Sequence, residues 1–75
     1  MFEQIQKIIA NQLYIDASSV TEETTFIDDL GADSLDIVQM LIAMEKAFGI
    51  GFTEDEIAEI KTVGDAIRLI EKKKQ

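Results

Sequence analysis

Apolar residues recur at three- and four-residue intervals from the start of the chain: Phe2, Ile5, Ile9 and Leu13, with Ile8 at the edge of the stripe. That spacing predicts an amphipathic helix over about residues 2–14, with Glu3, Gln4, Lys7 and Gln12 on its wet side. From Tyr14 to Asp33 the periodicity disappears, and small polar residues dominate, interspersed with Val20, Phe26, Ile27 and Leu30. A loop of that length in a compact domain is more often functional than passive. Its apolar residues are expected to pack onto the core. A second helix is expected from about Ser34 to Phe48, where Asp33 or Ser34 offers an N-cap oxygen and Asp36 places negative charge in the first turn. Gly49 marks its stop. Thr53 followed by Glu56 reads as a capping box opening a short helix through about Ile60, and Thr62 with Asp65 is a weaker copy of that signal. Val63, Ala66, Ile67 and Ile70 then continue a helical stripe to about Lys72. Lys72, Lys73 and Lys74 suit the negative end of a helix dipole and read as a solvated terminus rather than a binding patch. No segment reads as a strand or a repeat. The expected fold is all-α: a small four-helix bundle of three longer helices and one short third helix, with a long loop between helices one and two, as a single domain over residues 1–75.

The second helix is too apolar for one core. Projected at about 100° per residue, Ile37, Met40, Leu41, Met44 and Phe48 share one arc, an adequate core face. Leu35, Val38 and Ile42 form another, bordered by Ser34 and Glu45 on one side and by Gln39 and Lys46 on the other. A helix with a single buried stripe carries no second one unless something covers it. Either the long loop or the short third helix lies over this arc, or it is an exposed docking stripe that begins beside Ser34.

Composition narrows the remaining choices. A chain of 75 residues buries only a modest core, and without cysteine no disulfide can staple it. Histidine is absent as well, which leaves only oxygen ligands and argues against a tight zinc or haem site. Stability therefore has to come from aliphatic packing, and 47% hydrophobic residues with no proline suit helices. The formal charge of −8 repels phosphate backbones and anionic lipid and attracts basic partner surfaces. Nucleic-acid binding and membrane insertion are therefore not expected, and no apolar run reaches the roughly 18–20 residues of a span. The first residues carry neither a signal-peptide apolar region nor an Arg-rich transit segment. A complete, cytoplasmic, monomeric protein is the expectation, consistent with the lack of cysteine.

The segment Asp28-Asp29-Leu30-Gly31-Ala32-Asp33-Ser34-Leu35-Asp36 is the most informative. Its carboxylates around a glycine suggest a calcium loop, but the register fails. Counted from Asp28, the sixth and twelfth positions are Asp33 and Gln39; counted from Asp29, they are Ser34 and Met40. Neither count supplies the glycine and glutamate such a loop requires. A nucleophilic hydrolase fails too, because its serine needs a base such as histidine. Asp33 and Asp36 would moreover oppose an alkoxide on Ser34. Taken alone, Ser34 reads as a helix cap.

Across essentially its whole length the chain resembles the acyl carrier protein family. The resemblance rests on Gly31-Ala32-Asp33-Ser34-Leu35-Asp36, on the run from Glu45 to Ile50 that follows the second helix, and on Thr62-Val63-Gly64-Asp65-Ala66 opening the last one. It implies that Ser34 is the serine on which a carrier-protein synthase, a phosphopantetheinyl transferase, installs 4′-phosphopantetheine from coenzyme A. Acyl groups would then ride as thioesters on the thiol of that arm, so the chain needs no cysteine and is not itself an enzyme. The resemblance further implies partners with basic patches, acyl-transferring and fatty-acid synthase enzymes among them. They would meet Asp33, Asp36 and Glu45 through charge, and Leu35, Val38 and Ile42 through apolar contact. The core-facing set of the second helix would line a cavity for the acyl chain. Ser18 and Ser19 lack the motif and read as turn residues.

The sequence departs from the family where Gln39, Lys46, Ala47 and Gly51 replace frequent acids and Thr53 stands for a frequent proline. Three functions follow: a carrier for fatty-acid synthesis, a specialised carrier for a polyketide, lipid A or other acyl pathway, and an unmodified helical interaction module. The charge generates a test of its own. Fifteen acids repelling one another in a compact state should make the thermal midpoint rise by several degrees between about 10 mM and a few hundred mM salt. A flat or falling midpoint would mean that the acids are already paired or that the core dominates.

Overall fold

Three of the four helices open on a reciprocal cap. In the computed structural model, which describes residues 1–74, the helices are α1 (Phe2–Leu13), α2 (Ser34–Phe48), α3 (Glu54–Glu59) and α4 (Val63–Lys73). Asp33 caps α2: its carboxylate accepts the Asp36 N–H at 2.9 Å while Asp36 accepts the Asp33 N–H at 3.3 Å. Thr53 and Glu56 do the same for α3, and Thr62 and Asp65 for α4, so the weaker signal proves a full capping box. The N–H groups of Thr62 and Lys61 and the Arg68 guanidinium hold the Asp65 carboxyl below its usual range. Gly49, at φ 67°, ends α2 by donating back to the Glu45 carbonyl at 2.8 Å. Tyr14 plays that part after α1 at φ 58° without being a glycine, which stores local strain.

The core lies where α1, α2 and α4 meet. Ile5 and Ile9, Met40, Leu41 and Met44, and Val63, Ala66, Ile67 and Ile70 are all buried there. Each fully buried aliphatic chain contributes about 1.5–3 kcal/mol, the term that has to hold a chain without disulfides. Ile60, at the end of α3, adds to this cluster. The C-terminal lysines are not simply solvated. Lys73 folds back to pair with Glu56 at 2.8 Å beside the Phe52 ring, and only Lys72 and Lys74 stay exposed.

The long loop is fastened to the start of α4. An α-helix begins with N–H groups that have no partner inside it. Here Val63 donates to the Thr24 carbonyl at 2.9 Å and Gly64 to the Glu22 carbonyl at 2.8 Å, while Phe26 donates to the Lys61 carbonyl at 3.1 Å. Thr25 and Thr62 form a single antiparallel bridge within this contact. At the other end, the Gln6 side chain donates to the carbonyls of Ala17 and Val20. So anchored, the loop sends Val20 and Phe26 into the core, as expected, with Leu30 partly buried. Ile27 is a correction: it is 64% exposed. Phe26 has its N–H and carbonyl both bonded and its ring turned inward, and the turn that follows carries Ile27 outward.

Gly64 is where this fastening is tightest. A Cβ there would stand 3.0 Å from the Glu22 carbonyl oxygen and 3.2 Å from an Arg68 side-chain nitrogen. The arginine can swing away, whereas the carbonyl can retreat only by lengthening its bond to Gly64. On helix propensity alone, Gly64→Ala would stabilise the protein by up to ~1 kcal/mol. The contact reverses the sign, and we expect a loss of about 1–3 kcal/mol in urea denaturation.

Candidate functional site

Ser34 is the first residue of α2, directly after the extended cap residue Asp33. Because Asp33 and Asp36 complete the cap between them, Ser34 is not the cap residue, and its exposed hydroxyl has no hydrogen-bond partner among the described residues. The N–H groups of Ser34 and Leu35 likewise have none among those residues. This is the opposite of α4, whose first N–H groups are taken by loop carbonyls. The start of α2 thus presents a hydroxyl over free donors at the positive end of a helix dipole, an arrangement that favours added anionic charge. Ser18 and Ser19 are part of a 3₁₀ turn at Ala17–Ser19, where Ser19 Oγ donates to the Asp16 carbonyl at 2.7 Å. The backbone N–H of Ser18 holds the Asp16 carboxyl below its usual range.

Beside Ser34 the second apolar arc of α2 lies open. Leu35 is 64% exposed, Val38 40% and Ile42 43%. Met40 and Met44, one turn around the helix, are fully buried. Neither the loop nor α3 covers the arc. Of the flanking acids, Asp33 is exposed, while Asp36 and Glu45 are half-buried. Glu45 also reaches inward: its Oε2 accepts the Phe52 N–H at 2.7 Å. On the far border, Gln39 is bonded to Gln12 of α1.

A groove of about 480 Å³ runs from Ser34 into the bundle. Phe26, Ile27 and Asp28 of the loop form one wall, Ile37 and Val38 of α2 another, and Ile57, Ala58 and Ile60 of α3 and its end the third. Lys61 also lines it. Of the core-facing residues expected to line a cavity, only Ile37 reaches it. Met40 and Met44 are fully buried and do not line it. The groove wall supplied by α3 is steadied by Lys73, whose ammonium, together with the Thr53 N–H, holds the Glu56 carboxyl below its usual range. Sequence periodicity could not have found this groove, since two of its three walls come from a loop and a six-residue helix.

A sequence-family model described as a phosphopantetheine attachment site matches residues 3–70, and with this helical fold it defines a phosphopantetheine-bearing carrier domain. The chain is 46% identical over 74 residues to acyl carrier proteins from two strains of Helicobacter pylori, covering 99% of its own length and 95% of theirs. It superposes on an acyl carrier protein from Enterococcus faecalis with a TM-score of 0.80 at 32% identity, covering 96% of this chain and 91% of that one. The chain belongs to the acyl carrier protein family. No helix among the described residues is long and apolar enough to cross a membrane.

The two faces of α2 can be told apart by truncation. Ile42→Ala removes area from a side chain that is 43% exposed, and should cost well under ~1 kcal/mol of stability. Met44→Ala opens a hole beneath a fully buried side chain and should cost about 2–5 kcal/mol. Thermal denaturation of the pair reads this directly. A large loss from Ile42→Ala with a harmless Met44→Ala would mean the helix faces are exchanged.

Proposed function

We propose that this chain carries growing acyl groups as thioesters on a 4′-phosphopantetheine arm attached to Ser34, and delivers them to enzymes of fatty-acid biosynthesis. The observation that carries this reading is the place of Ser34: exposed, released from capping by Asp33, and on the wall of an apolar groove. The free N–H groups of Ser34 and Leu35 would offset the charge of a phosphodiester on that hydroxyl. When bound, the arm supplies the thiol on which acyl groups are held. Ile37, Val38, Ile57 and Ile60 offer the acyl chain an apolar surface away from water. The protein acts here as cargo bearer and not as an enzyme. It has no histidine to activate Ser34, so the base belongs to the carrier-protein synthase that uses coenzyme A to modify it.

Its partners would be that synthase and acyl-transferring enzymes with basic docking patches. Asp33, Asp36 and Glu45 supply the charged contacts, and Leu35, Val38 and Ile42 the apolar ones. Such a surface, charged at its edge and apolar at its centre, fits the anatomy of transient interfaces. A net charge of −8 keeps copies of the chain apart, in keeping with a monomer. The cytoplasm is the proposed compartment, where reducing conditions keep the arm's thiol free. The thinned acidity at Gln39 and Lys46 favours, as a second reading, a dedicated carrier for another acyl pathway.

Incubation with coenzyme A and a carrier-protein synthase should add one phosphopantetheinyl group, read by intact mass. Ser34→Ala should abolish the addition and leave the helical circular dichroism unchanged, since Asp33 and not Ser34 caps the helix. Modification that persists in Ser34→Ala would overturn the assignment.

A further inference from the structure

Glu45 belongs to two structures at once. Its carbonyl oxygen accepts the N–H groups of Gly49 at 2.8 Å and Ile50 at 3.1 Å, closing the end of α2. Its carboxylate Oε2 accepts the N–H of Phe52 at 2.7 Å, immediately before the residue that caps α3. One residue therefore holds the whole turn from α2 to α3 by three bonds. Gly51, inside that turn, passes close to the same oxygen, since a Cβ there would stand 3.7 Å from it. The helix that follows is only six residues long, too short to be stable by itself, and depends on what fastens its ends. Its residues Ile57 and Ala58, with Ile60 after it, form one wall of the groove. The second oxygen of Glu45, Oε1, has no hydrogen-bond partner among the described residues. A carboxylate can accept at both oxygens, so one is fixed inward and the other remains available outward.

We propose that Glu45 is a positioning residue for the groove: through Phe52 it sets where α3 stands, so the docking face of α2 and the wall over the acyl chain are tied at a single carboxylate. A cation that approaches Oε1 draws on the same charge that strengthens the Phe52 bond, and thereby loosens α3. This deepens the carrier reading and rests on it for the identity of what fills the groove. The role of Glu45 in positioning α3 does not depend on that reading.

Two variants separate the staple from the charge. Glu45→Gln keeps an oxygen at the right reach for the Phe52 N–H and gives up the charge. Glu45→Asp keeps the charge but is shorter by one methylene, about 1.5 Å, which takes its carboxylate out of hydrogen-bond range. Amide hydrogen exchange on the unmodified protein is the first readout. At Phe52, Ile57 and Ile60, exchange should speed up about tenfold or more in Glu45→Asp and stay near the parent rate in Glu45→Gln. The amides of α1 and α4 serve as the internal reference for overall folding. With a medium-length acyl thioester loaded, cleavage by hydroxylamine should likewise be faster in Glu45→Asp than in Glu45→Gln. The rate of modification by the carrier-protein synthase should show the reverse order, falling further in Glu45→Gln. Exchange in Glu45→Asp that matches the parent protein, or equal acceleration in both variants, would overturn the proposal. A parent protein that takes up no arm would instead sink the carrier reading and leave the exchange comparison standing.

Discussion

The fold depends on what becomes of the unpaired N–H groups at helix starts. Every α-helix begins with donors it cannot satisfy itself, and burying them without partners costs about 1–3 kcal/mol each. At α4 the solution is tertiary. Carbonyls of Glu22 and Thr24 take the N–H groups of Gly64 and Val63, which pins the middle of a long loop to the last helix. That attachment directs Phe26 into the core and brings the loop alongside α2, where it becomes a wall of the groove. At α2 the same donors stay free beside Ser34. One rule of backbone chemistry, met in one helix and left open in the other, yields both the scaffold and the site.

A second constraint is size. With three helices around so small a core, α2 can turn only one face inward, and Met40, Leu41 and Met44 fill it. Leu35, Val38 and Ile42 are left outside because nothing remains to cover them. The short α3 is spent on the groove and on Ile60. An apolar stripe in water is a liability for an isolated protein. The acids around it and the net charge of −8 oppose close approach of like-charged copies and favour a surface of opposite charge.

What could be read from the chain alone was whatever is local. Helix periodicity placed α1, α2 and α4, and capping residues three apart placed the starts of α2, α3 and α4 within a residue or two. The two-faced nature of α2 was also legible, since its projection needs no knowledge of neighbours. Features made by distant segments were not. The pairing of Thr24 and Phe26 with Val63 and Lys61 leaves no periodic trace, so the outward turn of Ile27 was invisible, as was the wall of the groove. Lys73 read as a solvated terminus because its partner Glu56 lies in another helix. Tyr14 gave no stop signal, because a tyrosine in the left-handed region is dictated by the end of α1 and by the loop that follows.

The same distinction explains why Ser34 could look inert and still be the residue around which the candidate site is built. Its neighbours offer no base, and Asp33 and Asp36 discourage its ionisation, so the hydroxyl has no chemistry of its own. What the fold gives it is position. Had Ser34 been the cap, its oxygen would be committed to a backbone N–H and turned into the helix. With Asp33 in that role, the hydroxyl is one residue further on, facing water, at the mouth of an apolar groove. In the proposed carrier state that oxygen is esterified to the arm's phosphate, so no serine nucleophile is left there to attack the cargo. Presentation is what remains: an exposed hydroxyl beside unpaired N–H groups, a setting that suits an added phosphate.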